Sequence, residues 1–257
     1  MEKKYFELAK PIWAKGKEEE LNSCLFFKTI INKKGICKIN VTANNFYRIF
    51  INGKLKFYGP SRDAHFYYRV DEYKVNLNQS ENIIIIEVSG SNCYSFYTTN
   101  TRPFLLCEIK DEDNSVLSYT GDNEFLTFNN DTRIRKVTRF SYQRPFSESY
   151  VIDRKLHYFF LDGINAYTKL ETKILENVKL DKRIVHYPKL SKVKFNLEEF
   201  GTAFINENKK IYEDRYQTAD FLKLFPKSEW EIDSNKVASQ LDFKLGQEKS
   251  KLLKSME

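Results

Sequence analysis

The sequence predicts a mainly β protein: an antiparallel jelly-roll-like β-sandwich followed by a smaller β/α C-terminal region. Three observations support this prediction. From about residue 20 to residue 150, apolar and aromatic residues form many short runs separated by turn signals, without a helical period. Two of these runs flank an Asn-Gly pair, which is a strong hairpin signal. A third run alternates in polarity with a period of two, as a half-buried strand does.

The first predicted strands are residues 24–31 (CLFFKTII) and 36–42 (ICKINVT), joined by a polar turn. The second strand places cysteine, isoleucine and valine on one face and polar residues on the other. Residues 46–58 then form a hairpin, because Asn52 and Gly53 tolerate the positive φ angles that both central residues of a type I′ turn require.

Further strand-length runs follow the hairpin. They are residues 66–73, 82–90, 93–97, 103–110, 115–121 and 134–146. The four consecutive isoleucines at 83–86 suit a strand that is buried on both faces.

After about residue 150 the composition changes, so we divide the chain into a sandwich (1–150) and an extension (151–257). Residues 150–163 and 166–180 still have the character of strands, whereas the region beyond residue 217 has helical stretches. One short helix is predicted where Phe221, Leu222, Leu224 and Phe225 cluster on one side. Ser228 and Glu231 have the spacing of a capping box for a second helix.

Composition limits the classes of partner. The net charge of +7 arises from lysines and arginines spread along the chain, which favours general solubility over a nucleic-acid-binding surface. The N-terminus lacks the apolar segment of a signal peptide, and every apolar run is shorter than a membrane span. We therefore expect a cytoplasmic protein. The four cysteines lie inside apolar runs without Cys-x-x-Cys spacing, which favours buried free thiols over a disulfide.

Catalytic and metal-binding motifs are weak. The three histidines (His65, His157, His186) lie far apart, and none has a second ligand three or four positions away. The sequence has no nucleophile elbow, phosphate loop or dinucleotide fingerprint. No pair of carboxylates can be singled out, although a glycosidase needs only two. We therefore assign no catalytic residue, no metal site and no cofactor.

Two loops favour carbohydrate binding, because sugar sites combine aromatic faces with planar polar side chains. The candidate residues are Tyr58, Arg62, His65, Tyr67, Asn92 and Tyr94. The alternative is that these side chains belong to the core of the hairpin and its neighbouring strand, or to a surface that packs on another domain.

Three segments together carry a family resemblance: residues 46–73 (FYRIFINGKLKFYGPSRDAHFYYRVDEY), 81–97 (ENIIIIEVSGSNCYSFY) and 136–150 (KVTRFSYQRPFSESY). They resemble the N-terminal β-sandwich of bacterial α-L-rhamnosidase-like glycoside hydrolases. The shared pattern is a strand ending in Asn-Gly, a Tyr-Gly-Pro-x-Arg turn, a Tyr-Tyr-Arg-x-Asp-Glu strand and a later Gln-Arg-Pro-Phe. The resemblance covers roughly residues 8–225 and is most specific over 46–97 and 134–150.

The resemblance implies a role without catalysis. In that family an (α/α)₆ barrel, C-terminal to the sandwiches, carries the acidic residues of an inverting mechanism, and no part of this chain matches the barrel. The expected function is an accessory sandwich that packs on such a catalytic domain, in the same enzyme or in a partner chain. The alternatives are a freestanding module that binds rhamnose-containing glycans and a small glycosidase in its own right.

Overall fold

The computed structural model describes most of the sandwich and parts of the extension. The described residues are 4–137, 139, 143, 145–151, 167–187, 189, 191, 194, 201–211 and 224–245. His157, residues 152–163 of the predicted strand at 150–163, and most of the predicted helix at 221–225 lie outside these residues.

Two facing sheets make a mainly β sandwich, which confirms the predicted fold class. The first sheet contains β1 (Ile12–Ala14), β3 (Gly35–Asn44), β6 (Tyr67–Leu77), β8 (Phe104–Asp111), β9 (Val116–Tyr119), β12 (Thr172–Ile174) and β13 (Lys179–Lys182). Its order is β12-β1-β8-β3-β6-β13, with β9 paired to β8. All described pairs in it are antiparallel except β13, which runs parallel to β6.

The second sheet is antiparallel and faces the first. It contains β2 (Ser23–Ile31), β4 (Phe46–Ile51), β5 (Lys54–Gly59), β7 (Asn82–Gly90), β10 (Leu126–Asn129) and β11 (Lys169–Leu170). Its order is β11-β10-β2-β7-β4-β5. The β4–β5 connection is the predicted hairpin, and Asn52 and Gly53 both have positive φ angles (49° and 73°).

The core lies between the sheets and uses the inward residues of both. The first sheet contributes Trp13, Ile39 and Leu105, and the second contributes Phe27 and Ile49, all at most 1% exposed. Strand β7 is buried on both faces, as predicted: Ile84 and Ile86 face this core, whereas Ile83 and Ile85 pack under Phe26, Phe128 and Tyr167. The four cysteines are buried with free thiols, also as predicted.

The outer face of the first sheet is covered by the N-terminal segment, which a buried carboxylate holds in place. Glu108 accepts hydrogen bonds from the backbone N–H groups of Glu7, Leu8 and Ala9 at 2.7–3.1 Å. Phe6 then packs on Val70, Phe104 and Leu106. Lys110 also forms an ion pair with Glu108, at 3.1 Å.

Strands from beyond residue 150 complete both sheets. Strand β11 pairs with β10, β12 pairs with β1, and β13 pairs with β6. Farther along, β14 (Gly201–Ile205) and β15 (Leu241–Leu245) form a separate two-stranded sheet, and a short helix, α1 (Ser234–Gln240), precedes β15. The division of the chain at residue 150 stays a prediction.

Several local predictions were wrong. Residues 93–97 form a turn instead of a strand, and the described part of 134–146 contains one isolated bridge, between Val137 and Ile232. Leu224 and Phe225 lie in a bend. Ser228 lies in a 3₁₀ turn (Lys227–Glu229), and the cap of α1 is Asp233, whose carboxylate accepts from the Lys236 N–H at 3.1 Å.

Among the described residues, no helix has the length and apolar character needed to cross a bilayer.

Candidate functional site

The loop between β5 and β6 (residues 60–66) borders a cavity of about 200 Å³. Residues 43–46 and 95–99 supply the other walls. Arg62, His65 and Tyr67, three of the predicted site residues, line this cavity together. The structure thus brings half of the predicted set to one place, which we call the end cavity.

Arg69 holds the loop at residues 60–66 in place through three hydrogen-bond donors. Its Nε donates to the Arg62 carbonyl oxygen (2.9 Å), one terminal nitrogen donates to the Lys182 carbonyl oxygen (2.6 Å), and the other pairs with Asp63 Oδ1 (2.9 Å). The Arg69 and Asp63 side chains are 14% and 7% exposed. Because every Arg69 nitrogen is occupied, this residue positions the loop and the β13 strand.

The opposite wall is the turn at residues 95–98, and a serine explains why this segment is not a strand. Ser95 Oγ accepts from the N–H groups of Tyr97 and Thr98 at 3.0 Å. Thr98 Oγ1 donates to the Cys93 carbonyl oxygen at 2.7 Å. Such local side-chain bonds compete with a sheet ladder for the backbone donors. The turn leaves the Phe96 and Tyr97 rings exposed.

Arg62 joins the two walls. Its guanidinium donates to the Phe96 carbonyl oxygen at 2.6 Å and lies 4.5 Å from the centre of the Tyr97 ring. The His65 ring stands edge-on to Phe66. Tyr67, at the start of β6, is half-exposed, with Lys179 Nζ 5.2 Å from its ring centre.

The other three predicted residues lie elsewhere. Tyr58 lines a different surface depression beside Tyr187. Asn92 is buried, and its amide donates to the backbone oxygens of Glu18 and Glu20, both at 3.1 Å. Tyr94 is exposed outside the end cavity, and its carbonyl oxygen accepts from Arg139 at 2.7 Å.

Sequence reasoning missed two rings at the cavity mouth. Phe66 and Phe96 are 65% and 64% exposed. Phe66 also has a φ of 67°, which a bulky side chain rarely adopts. In the sequence both look like ordinary strand residues, so no sequence signal marks them as exposed.

Two polar atoms of the cavity wall are buried without a hydrogen-bond partner in the described structure. They are Ser61 Oγ and Asp63 Oδ2. Buried polar atoms of this kind are ordinarily satisfied by an ordered water or a ligand.

A buried ionic network lies behind the loop, around Asp71. Its carboxylate pairs with Arg183 at 2.7 Å and accepts hydrogen bonds from the Tyr47 and Tyr73 hydroxyls. Burial raises the pKa of Asp71, although the bonds from Tyr47 and Arg183 act in the opposite direction. Burial also raises the pKa values of both tyrosines, so they remain donors. None of these four side chains lines the end cavity. Gly59 packs tightly against the network, since a Cβ at this position would collide with Asp71 Oδ2 and Tyr47 Oη.

A second cavity adjoins the first. It has a volume of about 710 Å³ and shares Phe46 and Tyr97 with the end cavity. Arg133, Phe146 and Glu148 line its far side. Among the described residues, no group of three or more histidines, cysteines or carboxylates is arranged to hold a metal ion.

Comparison with known proteins finds similarity of fold among solved structures. No protein-family model matches the sequence, and no curated protein matches it. Among solved structures, a GH78 family rhamnosidase of Bacillus sp. GL1 is similar with a TM-score of 0.62 and 21% identity, over 70% of this chain and 20% of that chain. The native α-L-rhamnosidase from Aspergillus terreus is similar with a TM-score of 0.54 and 17% identity, over 68% of this chain and 22% of that chain.

These identities show the fold alone. The chain spans about a fifth of the length of the rhamnosidases that it matches. The described β-sandwich is therefore similar in fold to one part of these larger α-L-rhamnosidase chains.

Proposed function

We propose that this chain is a non-catalytic β-sandwich module of an α-L-rhamnosidase-like glycoside hydrolase, and that it supports a catalytic domain by packing against it. The fold shared with about a fifth of two rhamnosidase chains supports the proposal. By resemblance, the module precedes an (α/α)₆ catalytic barrel. Among the described residues, those best suited to packing on such a partner form the two-stranded sheet of β14 and β15.

One observation carries this proposal: the sheet has an apolar face that is open to solvent. The register pairs Ile205 with Leu241 and Ala203 with Phe243. Residues directly opposite in an antiparallel pair share a face, so these four side chains form one surface. Ile205, Leu241 and Phe243 are 38–50% exposed. Phe204 lies on the other face, opposite Asp242.

A two-stranded sheet with an uncovered apolar face is marginally stable in water. Burying that face would stabilise it by roughly 25 cal/mol per Å² of apolar area removed from water. We therefore assign the face as the docking surface for the catalytic domain.

The first test is the association state in sedimentation velocity. The isolated wild-type chain should self-associate as its concentration rises, because its docking surface is uncovered. A Leu241→Thr/Phe243→Thr variant should remain monomeric, since threonine suits a strand but removes most of the apolar surface. Phe204→Thr is the matched control on the opposite face and should behave like wild type.

Two results would contradict the proposal. If the wild-type chain stays monomeric at all concentrations, the apolar face of β14 and β15 is not a docking surface. Hydrolysis of an aryl α-L-rhamnoside by the purified chain would show that it is catalytic.

A second candidate function is carbohydrate binding at the end cavity, favoured by the exposed rings around Arg62. Phe66, Phe96 and Tyr97 present apolar faces of the kind that pack on a sugar ring. The cavity is smaller than the roughly 300–1,000 Å³ typical of small-molecule pockets, so it suits a single sugar ring.

Calorimetric titration tests this candidate. L-rhamnose and rhamnose-containing oligosaccharides should bind saturably to wild type and lose that binding in Arg62→Ala/His65→Ala. Absence of heat up to millimolar sugar, with both proteins folded, would leave the loop with a structural role.

A further inference from the structure

The charge at the end cavity is not balanced. Among the described residues, no carboxylate lies within ion-pair distance of the Arg62 guanidinium, which instead contacts a backbone oxygen and the Tyr97 ring. Arg62 is exposed, and its hydrogen bond to the Phe96 carbonyl oxygen occupies one of five N–H donors. The site therefore offers a cation with free donors.

The neighbouring charges cancel each other. Asp63 pairs with Arg69, and the remaining Arg69 nitrogens donate to backbone oxygens. The Arg69–Asp63 pair is neutral overall. Asp63 Oδ2, which is buried in the cavity wall without a hydrogen-bond partner among the described residues, remains an acceptor for a ligand hydroxyl. His65 is the other basic side chain of the lining. With the Arg69–Asp63 pair neutral, an anion that enters the cavity meets one uncompensated positive charge, that of Arg62.

Aromatic rings flank that cation. Phe66 and Phe96 are each about two-thirds exposed at the cavity mouth. An acidic peptide or inorganic phosphate would satisfy Arg62 but leave these rings in water. A ligand that has both a carboxylate and a flat apolar C–H face fits both features, and an acidic sugar has both.

The adjoining cavity provides room for a ligand longer than one sugar residue. It begins at the two residues shared with the end cavity, Phe46 and Tyr97, and is more than three times larger. Sugar residues linked to the one at Arg62 could lie there. Together the two cavities have room for an oligosaccharide that contains an acidic residue.

We propose that the end cavity binds a uronic acid residue of an acidic oligosaccharide, with its carboxylate on Arg62 and its ring against Phe66 and Phe96. This inference rests on the second candidate function above, carbohydrate binding at the end cavity. The bidentate donor geometry of arginine makes the carboxylate contact directional as well as electrostatic.

The experiment is a calorimetric titration with two probes that have the same sugar backbone, one with charged carboxylates and one with neutral esters: α-1,4-linked trigalacturonic acid and its fully methyl-esterified form. Wild type should bind the acid about tenfold more tightly than the ester, which is about 1.4 kcal/mol. Arg62→Gln should abolish that difference, and Arg62→Lys should keep part of it. Galacturonic acid monomer should bind more weakly than the trimer.

The control is Arg102→Gln. Arg102 is an exposed arginine paired with Glu19 at 3.0 Å, away from the cavity lining. The Arg102→Gln variant should bind the acidic trisaccharide as tightly as wild type does. Circular dichroism melts should show that all variants are folded. A loss in Arg102→Gln equal to that in Arg62→Gln would overturn the proposal, because it would show general attraction to a basic chain.

Other outcomes distinguish the preference for acidic sugars from carbohydrate binding itself. Equal affinity of wild type for the acid and the ester would overturn the preference for acidic sugars while carbohydrate binding stands. No binding of either probe, or of rhamnose, would overturn both. Binding of a tri-glutamate peptide as tight as that of the acidic trisaccharide would overturn the assignment to a sugar.

Discussion

Removing the positive partner of Asp71 should be strongly destabilising. The Asp71 and Arg183 side chains are 0% and 9% exposed, and their atoms lie 2.7 Å apart. We would replace Arg183 with methionine, which retains much of the aliphatic stem but leaves the Asp71 charge without a cation. Two hydroxyl donors, from Tyr47 and Tyr73, would remain on that carboxylate.

The magnitude follows from what Arg183 contacts. Breaking a buried ion pair by removing one partner costs about 3–5 kcal/mol. Arg183 also donates to the backbone oxygens of Val185 and His186 and lies over the Tyr187 ring at 4.5 Å. Because the tyrosine hydroxyls still support Asp71, we expect about 3 kcal/mol at pH 7.

Urea denaturation followed by circular dichroism measures this loss. With a slope of about 3 kcal/mol per molar urea, the unfolding midpoint should fall by about 1 M. Arg102→Met is the control, since that exposed pair should contribute about 0.2–1 kcal/mol. A double-mutant cycle with Asp71→Asn should show coupling, because the two side chains are in contact.

The loss in Arg183→Met should depend on pH in a stated direction. Burial already raises the pKa of Asp71, and without Arg183 it should rise further. An acid with a raised pKa in the folded state destabilises the fold above that pKa, and the penalty disappears below its unfolded value of about 3.9. The difference from wild type should shrink from pH 7 toward pH 4. A pH-independent loss below 1 kcal/mol would refute the reasoning.

Three further predictions concern stability and reactivity. Burial opposes the ionisation of Glu108, but the backbone N–H groups of residues 7–9 hold the pKa of this carboxyl below its usual range. The ionised Glu108 therefore stabilises the fold fully above about pH 4.3, and this stabilisation is lost as pH falls through the lowered pKa. Glu108→Gln should therefore cost about 2 kcal/mol at pH 7 in the same assay, and the difference should vanish in acid; an equal cost at pH 3 would contradict this. Gly59→Ala should cost about 1–3 kcal/mol in thermal melts, because its Cβ would collide with Asp71 Oδ2 and lie 2.7 Å from Tyr47 Oη; an unchanged melting temperature would count against it. Burial raises the pKa values of Cys24 and Cys107, so a thiol reagent should modify them only after unfolding, and rapid labelling of the native protein would disprove their burial.

The sequence determined the sandwich, because its strands depend on local patterns. Asn52-Gly53 required a turn with two positive φ angles, and the structure has them. The isoleucines at 83–86 required burial on both faces, and tertiary packing supplied a cover on each side. Where polar side chains compete for the backbone, pattern alone failed: Ser95 turned the predicted strand at 93–97 into a loop.

The candidate site was only half predictable, because a side chain's partner in another segment decides its role. Arg62 and Arg69 look alike in the sequence, yet Arg69 is fully bonded within the fold and Arg62 faces the cavity. The buried Asp71 pairs with Arg183, which is 112 residues away in the chain. The sequence by itself determined which residues form strands and turns, because those choices depend on neighbours along the chain. Only the tertiary structure decided which charges are neutralised and which rings face water, because these depend on contacts between distant segments.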